Sequence, residues 1–237
     1  MKIQENHDGD SMTWNSFYSP PDMNLWQGRE DAPPHAYFFQ IMQSLPLLQP
    51  LSPQIPAFAL IGFCCDEGIH RNLGRIGAKE GPSMIRKALA PLSVQKNLLC
   101  YDAGDIICHD NQLEEAQEAL GEAIAILLKH RLTPILLGGG HELAWGHYQG
   151  IEKKIRDQTL GIVNFDAHLD MRPLLSENKG SSGTPFLQIA KACEAKNHPF
   201  HYYCIGIQKA SNTQFLLDTA KKYHTQILFA DDLHQEN

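Results

Sequence analysis

The sequence is poor in the features that would assign it to several large classes of protein. No pair among its six cysteines, Cys64, Cys65, Cys100, Cys108, Cys193 and Cys204, has the C-x-x-C spacing of a zinc knuckle or a thioredoxin-like redox site. A reducing compartment is their simplest setting, so a cytoplasmic location is expected. There is no run of Lys or Arg, and 20 basic residues stand against 27 acidic ones for a formal net charge of −7. Duplex nucleic acid and anionic lipid are recognised through clustered positive charge, so neither is an expected partner. The N-terminal MKIQENHDGD has no apolar stretch of the kind a secretory signal carries, and export is not expected. Residues 36–65 carry no formal charge, yet Pro46, Pro50, Pro53 and Pro56 break them and exclude a continuous membrane-spanning helix.

What is present divides unevenly along the chain. The first 56 residues hold eight of the 14 prolines and two of the three tryptophans, Trp14 and Trp26, in a polar background. They read as an N-terminal proline-rich arm or lid, and residues 57–237 as an α/β domain. With 43% hydrophobic residues in 237, the chain can bury a sizeable core. AFALIGFCC at 57–65 has the length of a buried strand, and GPSMIRKAL at 81–89 reads as a helix opened by Pro82 in its first turn. LLCYDAGD at 98–105 is a second strand. Apolar residues at 113, 116, 120, 124 and 127 keep a 3.6-residue rhythm, which predicts an amphipathic helix. Strand and helix continue to alternate through TPILLGGG, LGIVNFDAH, TPFLQIAKAC, HYYCIGI, NTQFLLDTAKKY and TQILFA. That alternation predicts a mainly parallel sheet covered by helices on both faces.

Ligands of such sheets collect beyond the carboxyl ends of the strands. Three of those junctions are chemically distinctive. In GGGHELAWG, three glycines permit close backbone approach and precede His141, but no Lys-Ser/Thr pair follows, so a nucleotide loop is a weak reading. A plain glycine turn with an incidental histidine is equally open. In LGIVNFDAHLDMRP, Asp166, His168 and Asp170 are spaced two residues apart at the expected strand end. An extended segment would send all three to one side, where two carboxylates and an imidazole suit a divalent metal such as Mn²⁺, with Fe²⁺, Co²⁺ and Zn²⁺ also compatible. The alternative is that the carboxylates are solvated loop residues. In GSSGTPF, Thr184 or Ser182 can cap the following helix, and no G-x-S-x-G elbow marks either Ser181 or Ser182 as a nucleophile.

GGGHELAWG followed by NFDAHLDMR resembles the first two metal-binding signatures of the arginase/agmatinase/formimidoylglutamase family of ureohydrolases. DEGIHRNLGRIGAKEGPSMIRKAL looks like that family's N-terminal strand-loop-helix, and SSGTPF like its substrate loop. The likeness runs from about Ala57 to the end of the chain. Within the family, DAHLDMRP with SSGTPF is most similar to formimidoylglutamase. The resemblance implies a three-layer αβα sandwich and two manganese ions. His141 and Asp170 would bind one ion, His168 the other, and Asp166 would bridge them. It implies hydrolysis of N-formimidoyl-L-glutamate to L-glutamate and formamide, a step of histidine degradation, by a metal-bound hydroxide with no further catalytic side chain.

Two metal ions sharing a hydroxide can attack an amidine-type carbon without a protein nucleophile. Another amidine or guanidine substrate, such as agmatine, is the alternative. Arg172 would grip a substrate carboxylate through two parallel hydrogen bonds, unless it serves a structural ion pair. Ser182 stands where some members carry a proton-shuttling histidine, and a serine is no base at neutral pH, so that step would pass to water or to His147. His147 is otherwise a packing residue. Relatives commonly assemble, so a homo-oligomer is implied by resemblance alone. The family's third signature, S-x-D-x-D-x-x-D, has no counterpart in TQILFADDLHQEN, where Asp231 and Asp232 are adjacent and would face opposite ways on a strand. The expectation is therefore a sheet incomplete on its C-terminal side, with an inactive remnant or a partner-dependent subunit as the non-enzyme reading.

Overall fold

The computed structural model describes residues 14–234 except 30, 32, 52–54, 97 and 156–157. The strands are β1 (Tyr18–Ser19), β2 (Met42–Ser44), β3 (Ala57–Cys64), β4 (Cys100–Ile107), β5 (Leu132–Leu137), β6 (Gly161–Phe165), β7 (His201–Ile207) and β8 (Gln226–Phe229). The helices are α1 (Phe38–Ile41), α2 (Glu67–Arg71), α3 (Gly81–Leu89), α4 (Leu113–Lys129), α5 (Leu143–Ile155), α6 (Pro185–Ala195) and α7 (Gln214–Lys222). Every strand pairing is parallel except that of β1 with β4. The mainly parallel α/β architecture expected from the alternation of elements is what the chain adopts.

The strands form two sheets. One runs β1-β4-β3-β5, with β2 also on β4, and the other runs β6-β7-β8. The first core sits between the β3-β4-β5 layer and α4, where Leu113, Leu120, Ile124 and Leu127 are fully buried beside Ile61, Phe63 and Ile106. Those helix positions belong to the 3.6-residue rhythm, so the apolar stripe is the buried one. A second core packs Phe186, Leu187, Ile189 and Leu216 from α6 and α7 onto Tyr202 and Cys204 of β7. α4 and α5 approach closely through glycine: a Cβ on Gly150 would press on Gly121 O and the Ile124 side chain, and one on Gly121 would crowd Gln149 and the α5 backbone.

The described part of the proline-rich N-terminal segment contributes side chains to the core. Phe17, Trp26, Met42, Leu45 and Leu47 are all buried. Tyr18 Oη donates to Ala103 O at 2.9 Å and accepts from Leu47 N–H at 2.9 Å, fastening two parts of the arm to β4. Beneath them Arg86, 1% exposed, binds Asp102 with Nε and Nη2 and Asp105 with Nη1, at 2.7 to 2.9 Å. Trp26 Nε1 donates to the same Asp102 carboxylate at 2.8 Å. Burying a carboxylate is costly unless its oxygens are hydrogen-bonded, and here the arm's indole is one of the donors that satisfy it.

Candidate metal centre

β5 ends at Leu137, and Gly138 to Gly140 turn the chain sharply toward α5. Gly139 N–H donates to Phe63 O at 3.0 Å, and a Cβ there would collide with the carbonyls of Phe63 and Cys65. Only glycine lets this turn lie so close to the end of β3. The turn delivers His141 to the mouth of the sheet. Its Nδ1 lies 2.8 Å from Asp170 Oδ2 and 3.1 Å from Asp166 Oδ2, and its ring meets Phe186 edge-on at 5.3 Å between centroids. One ligand atom from each of His141, Asp166 and Asp170 falls within 4.8 Å of the others, and all three residues are half-buried.

The carboxylates converge by a different route from the one their spacing suggests. β6 stops at Phe165, so 166–170 is a loop and not an extended strand end. Asp170 has a left-handed φ of 46°, and this bend brings its carboxylate back toward Asp166. His168 is turned outward, its side chain 58% exposed, with Nδ1 at 3.5 Å from Asp166 Oδ1. The two oxygens of Asp166 thus face different imidazoles, Oδ2 toward His141 and Oδ1 toward His168.

Residues distant in sequence hold the loop. Asn212 accepts from Leu169 N–H at 3.0 Å and donates to Ala167 O at 2.8 Å. Tyr202 Oη donates to Leu169 O and accepts from Asn164 Nδ2, both at 3.0 Å. None of these three stands out in the sequence. The one signal is that Asn164 interrupts an apolar strand two residues before Asp166.

Charge and burial oppose one another here. Burial works against the His141 cation, but hydrogen bonds to Asp166 and Asp170 outweigh it and hold the imidazole up at about 9. Burial likewise works against the Asp166 carboxylate, yet His141 and the His168 backbone N–H bring it down to about 2. Glu142 is fully buried directly behind His141, and burial pushes its carboxyl up. Gly68 and Gly140 make room for it, since a Cβ on either would strike its side chain.

The substrate-side candidates lie on the neighbouring loops. Ser182 is half-buried and its N–H donates to Gly68 O at 2.9 Å. Thr184 occupies the N-cap position of α6 with Pro185 following, but its side chain makes no capping bond. Its hydroxyl accepts from Ser181 N–H at 2.8 Å, which tightens the loop instead of the helix end. Arg172 is exposed, its backbone N–H bound to Gly183 O at 2.9 Å, and no acidic side chain pairs with it among the described residues. His147 lies on α5, half-buried, and burial pushes its imidazole down.

Comparison with known proteins agrees with this geometry. Residues 56–237 match the arginase family model. A formimidoylglutamase of Legionella pneumophila (strain Lens) is 41% identical over 222 residues, covering 94% of this chain and 69% of the relative. One from Chromobacterium violaceum is 43% identical over 204 residues, covering 85% and 63%. The chain thus spans about two thirds of the length of the curated relatives it matches. Among solved structures, Trypanosoma cruzi formiminoglutamase with Mn²⁺ superposes with a TM-score of 0.69 at 28% identity, over 81% of this chain and 67% of that one. With a family model covering residues 56–237, most of its length, the chain belongs to the arginase family.

Proposed function

We propose that this protein is the manganese-dependent hydrolase of N-formimidoyl-L-glutamate, releasing L-glutamate and formamide. The observation that carries the reading is the convergence of His141, Asp166 and Asp170 in a chain whose relatives at 41% and 43% identity are formimidoylglutamases. One nitrogen and two carboxylate oxygens form a borderline-to-hard donor set that fits a divalent first-row ion. Such an ion would offset the repulsion between the neighbouring carboxylates of Asp166 and Asp170. Asp166 and the nearby His168 would hold a further ion. We assign His141, Asp166, His168 and Asp170 as ligands, with Mn²⁺ favoured by the donor types and by the Mn²⁺ in the Trypanosoma cruzi structure.

Held by these residues, a divalent ion would supply Lewis acidity for attack by water at neutral pH. The reaction adds one water across the formimidoyl carbon, leaving its oxygen in formamide and returning the amine of glutamate. The protein's part is positioning. Arg172, exposed and without an acidic partner among the described residues, would clamp a substrate carboxylate, and Ser182 would hydrogen-bond the substrate. Neither residue is a base. The unpaired state of all six cysteines supports a cytoplasmic location, and no helix among the described residues is long and apolar enough to cross a membrane.

The test is formamide release from N-formimidoyl-L-glutamate by the purified protein after manganese loading, with bound metal measured per chain. Turnover of this substrate, and none of agmatine or arginine, is expected. Turnover of agmatine alone would overturn the substrate assignment, and an absence of manganese binding would overturn the site.

A further inference from the structure

Glu142, the residue after His141, is 0% exposed and has no part in the His-Asp-Asp cluster. Among the described residues neither of its side-chain oxygens has a hydrogen-bond partner of ordinary geometry. The Cys65 thiol and the backbone N–H groups of Gly68 and of Glu142 itself are the donors around it. Asp102 is equally buried, yet its oxygens take bonds from Arg86, Trp26 and the Gly104 N–H. A buried carboxyl group so poorly satisfied is costly, and one in a packed interior calls for a reason.

The backbone and the side chain of Glu142 are held by different elements. Gln117 of α4, itself buried, donates Nε2 to Glu142 O at 2.7 Å and so fixes the turn that carries His141. The side chain meets α2 instead, where Oε2 occupies the space that a Cβ on Gly68 or Gly140 would need. α2 thus rests on the Glu142 carboxyl through Gly68. The carbonyl of that same glycine accepts from Ser182 N–H at 2.9 Å. At the far end of α2 the amide of its C-cap residue, Asn72, lies against Gly183. A Cβ on Gly183 would come to 3.1 Å from Asn72 Oδ1 and 2.8 Å from Arg172 Cδ. α2 therefore touches the metal turn on one side and, on another, the loop that bears Ser182 beside Arg172.

We propose that Glu142 is a positioning residue. Its side chain is a spacer under Gly68 that sets the height of α2 and, through α2, the distance of Ser182 and Arg172 from the metal turn. It acts by shape, because α2 meets it through a glycine and not through an ion pair, and a close-packed contact transmits a change of volume. Gln117 binds the backbone carbonyl of residue 142 whatever the side chain, so the spacer adjusts the substrate loop without moving His141. The role rests on the proposed function for its substrate, whereas the contact with Gly68 belongs to the fold.

The experiment compares Glu142→Ala, Glu142→Gln, Gly68→Ala and the double variant Gly68→Ala/Glu142→Ala with the parent chain, all loaded with manganese. In Glu142→Ala, KM for N-formimidoyl-L-glutamate is expected to rise at least about fivefold while kcat stays within about twofold. Bound manganese per chain keeps the parent's value, and hydrogen exchange of the Ser182 amide speeds up at least about tenfold. Glu142→Gln preserves the shape and with it the parent's KM and exchange rate. Gly68→Ala drives a methyl group against the carboxyl and raises KM from the other side. Removing the Glu142 side chain in the double variant makes room for that methyl and brings KM back toward the parent. A fall in kcat with KM unchanged, a Glu142→Gln variant as impaired as Glu142→Ala, additive effects in the double variant, or a Ser182 amide exchanging at the parent's rate would each overturn the proposal. Should Glu142→Ala fail to fold, the contrast between Gly68→Ala and Glu142→Gln carries the same test. A parent chain without turnover of N-formimidoyl-L-glutamate would instead overturn the substrate reading, and exchange at Ser182 across the variants then decides the role of Glu142.

Discussion

Asp170 does two things that ordinary residues do not combine. It bears a carboxylate 2.8 Å from His141 and sits at a left-handed φ of 46°, a region that Asp and Asn enter more readily than branched residues. Asp170→Asn keeps that tolerance and removes the charge. The fold should survive, and the dissociation constant for Mn²⁺ measured by equilibrium dialysis should rise at least about tenfold. Arg172→Ala removes only the proposed carboxylate clamp. A charge-assisted pair is worth about 1.5–3 kcal/mol, so kcat/KM for N-formimidoyl-L-glutamate should fall about 10- to 100-fold, chiefly through KM. A variant with unchanged KM would show that Arg172 does not touch the substrate. Tyr202→Phe leaves Leu169 O and Asn164 Nδ2 without their buried partner. Urea denaturation should show a loss of about 1–3 kcal/mol. At this scale the metal-binding residue types were legible from the closeness of Asp166, His168 and Asp170. Their supports were not, because Tyr202 and Asn212 come from segments 33 and 43 residues further along than Leu169.

The helices were legible as elements and less so as contacts. The apolar rhythm of α4 identified its buried stripe, and the structure buries those very positions. What periodicity does not reveal is how near another helix comes. α4 and α5 touch backbone to backbone at Gly121, Gly146 and Gly150, and glycines in a helix look merely unfavourable until the neighbour is known. Gly150→Ala raises intrinsic helix propensity yet forces a methyl group into Gly121 O and Ile124. The clash should dominate, and the urea midpoint should fall by the equivalent of about 1–3 kcal/mol. The loop after β6 differs from expectation for a related reason. An extended strand and a bent loop can carry the same two-residue spacing, and only the backbone at Asp170 distinguishes them.

At the scale of the whole molecule, two ionic clamps join parts that are far apart in sequence. Arg86 and Asp102 tie α3, β4 and the arm together. Arg86→Met leaves Asp102 buried without its cation, for which a loss of about 3–5 kcal/mol in urea unfolding is expected. Arg71 joins α2 to Glu114 of α4 at 2.6 Å and to the Gly180 loop. Burial works against the Glu114 charge, but Arg71 outweighs it and holds that carboxyl below the usual carboxylate range. A carboxyl whose folded pKa is depressed adds stability above its ordinary pKa and loses it as pH falls through the folded value. Glu114→Gln should therefore lower the denaturation midpoint at pH 7 by less than about 1 kcal/mol, since the side chain is 40% exposed. The difference from the parent should shrink and vanish as the pH is taken down through the acid range.

The sequence by itself determined the α/β class, the order of elements from Ala57 onward and the family likeness, because these depend on local periodicity and on short spaced motifs. It also marked His141, Asp166, His168 and Asp170 as candidate metal ligands, of which the structure brings His141, Asp166 and Asp170 together. Tertiary structure alone decided that Asp166 turns one oxygen to each imidazole, that Arg172 has no acidic partner among the described residues, and that Trp26 completes the hydrogen bonding of a buried aspartate. It also decided that, among the described residues, β5 pairs with β3 and β6 with β7, in two separate sheets. Those outcomes rest on which distant segments meet, and meeting is settled by burial, hydrogen-bond satisfaction and steric fit summed over the whole chain.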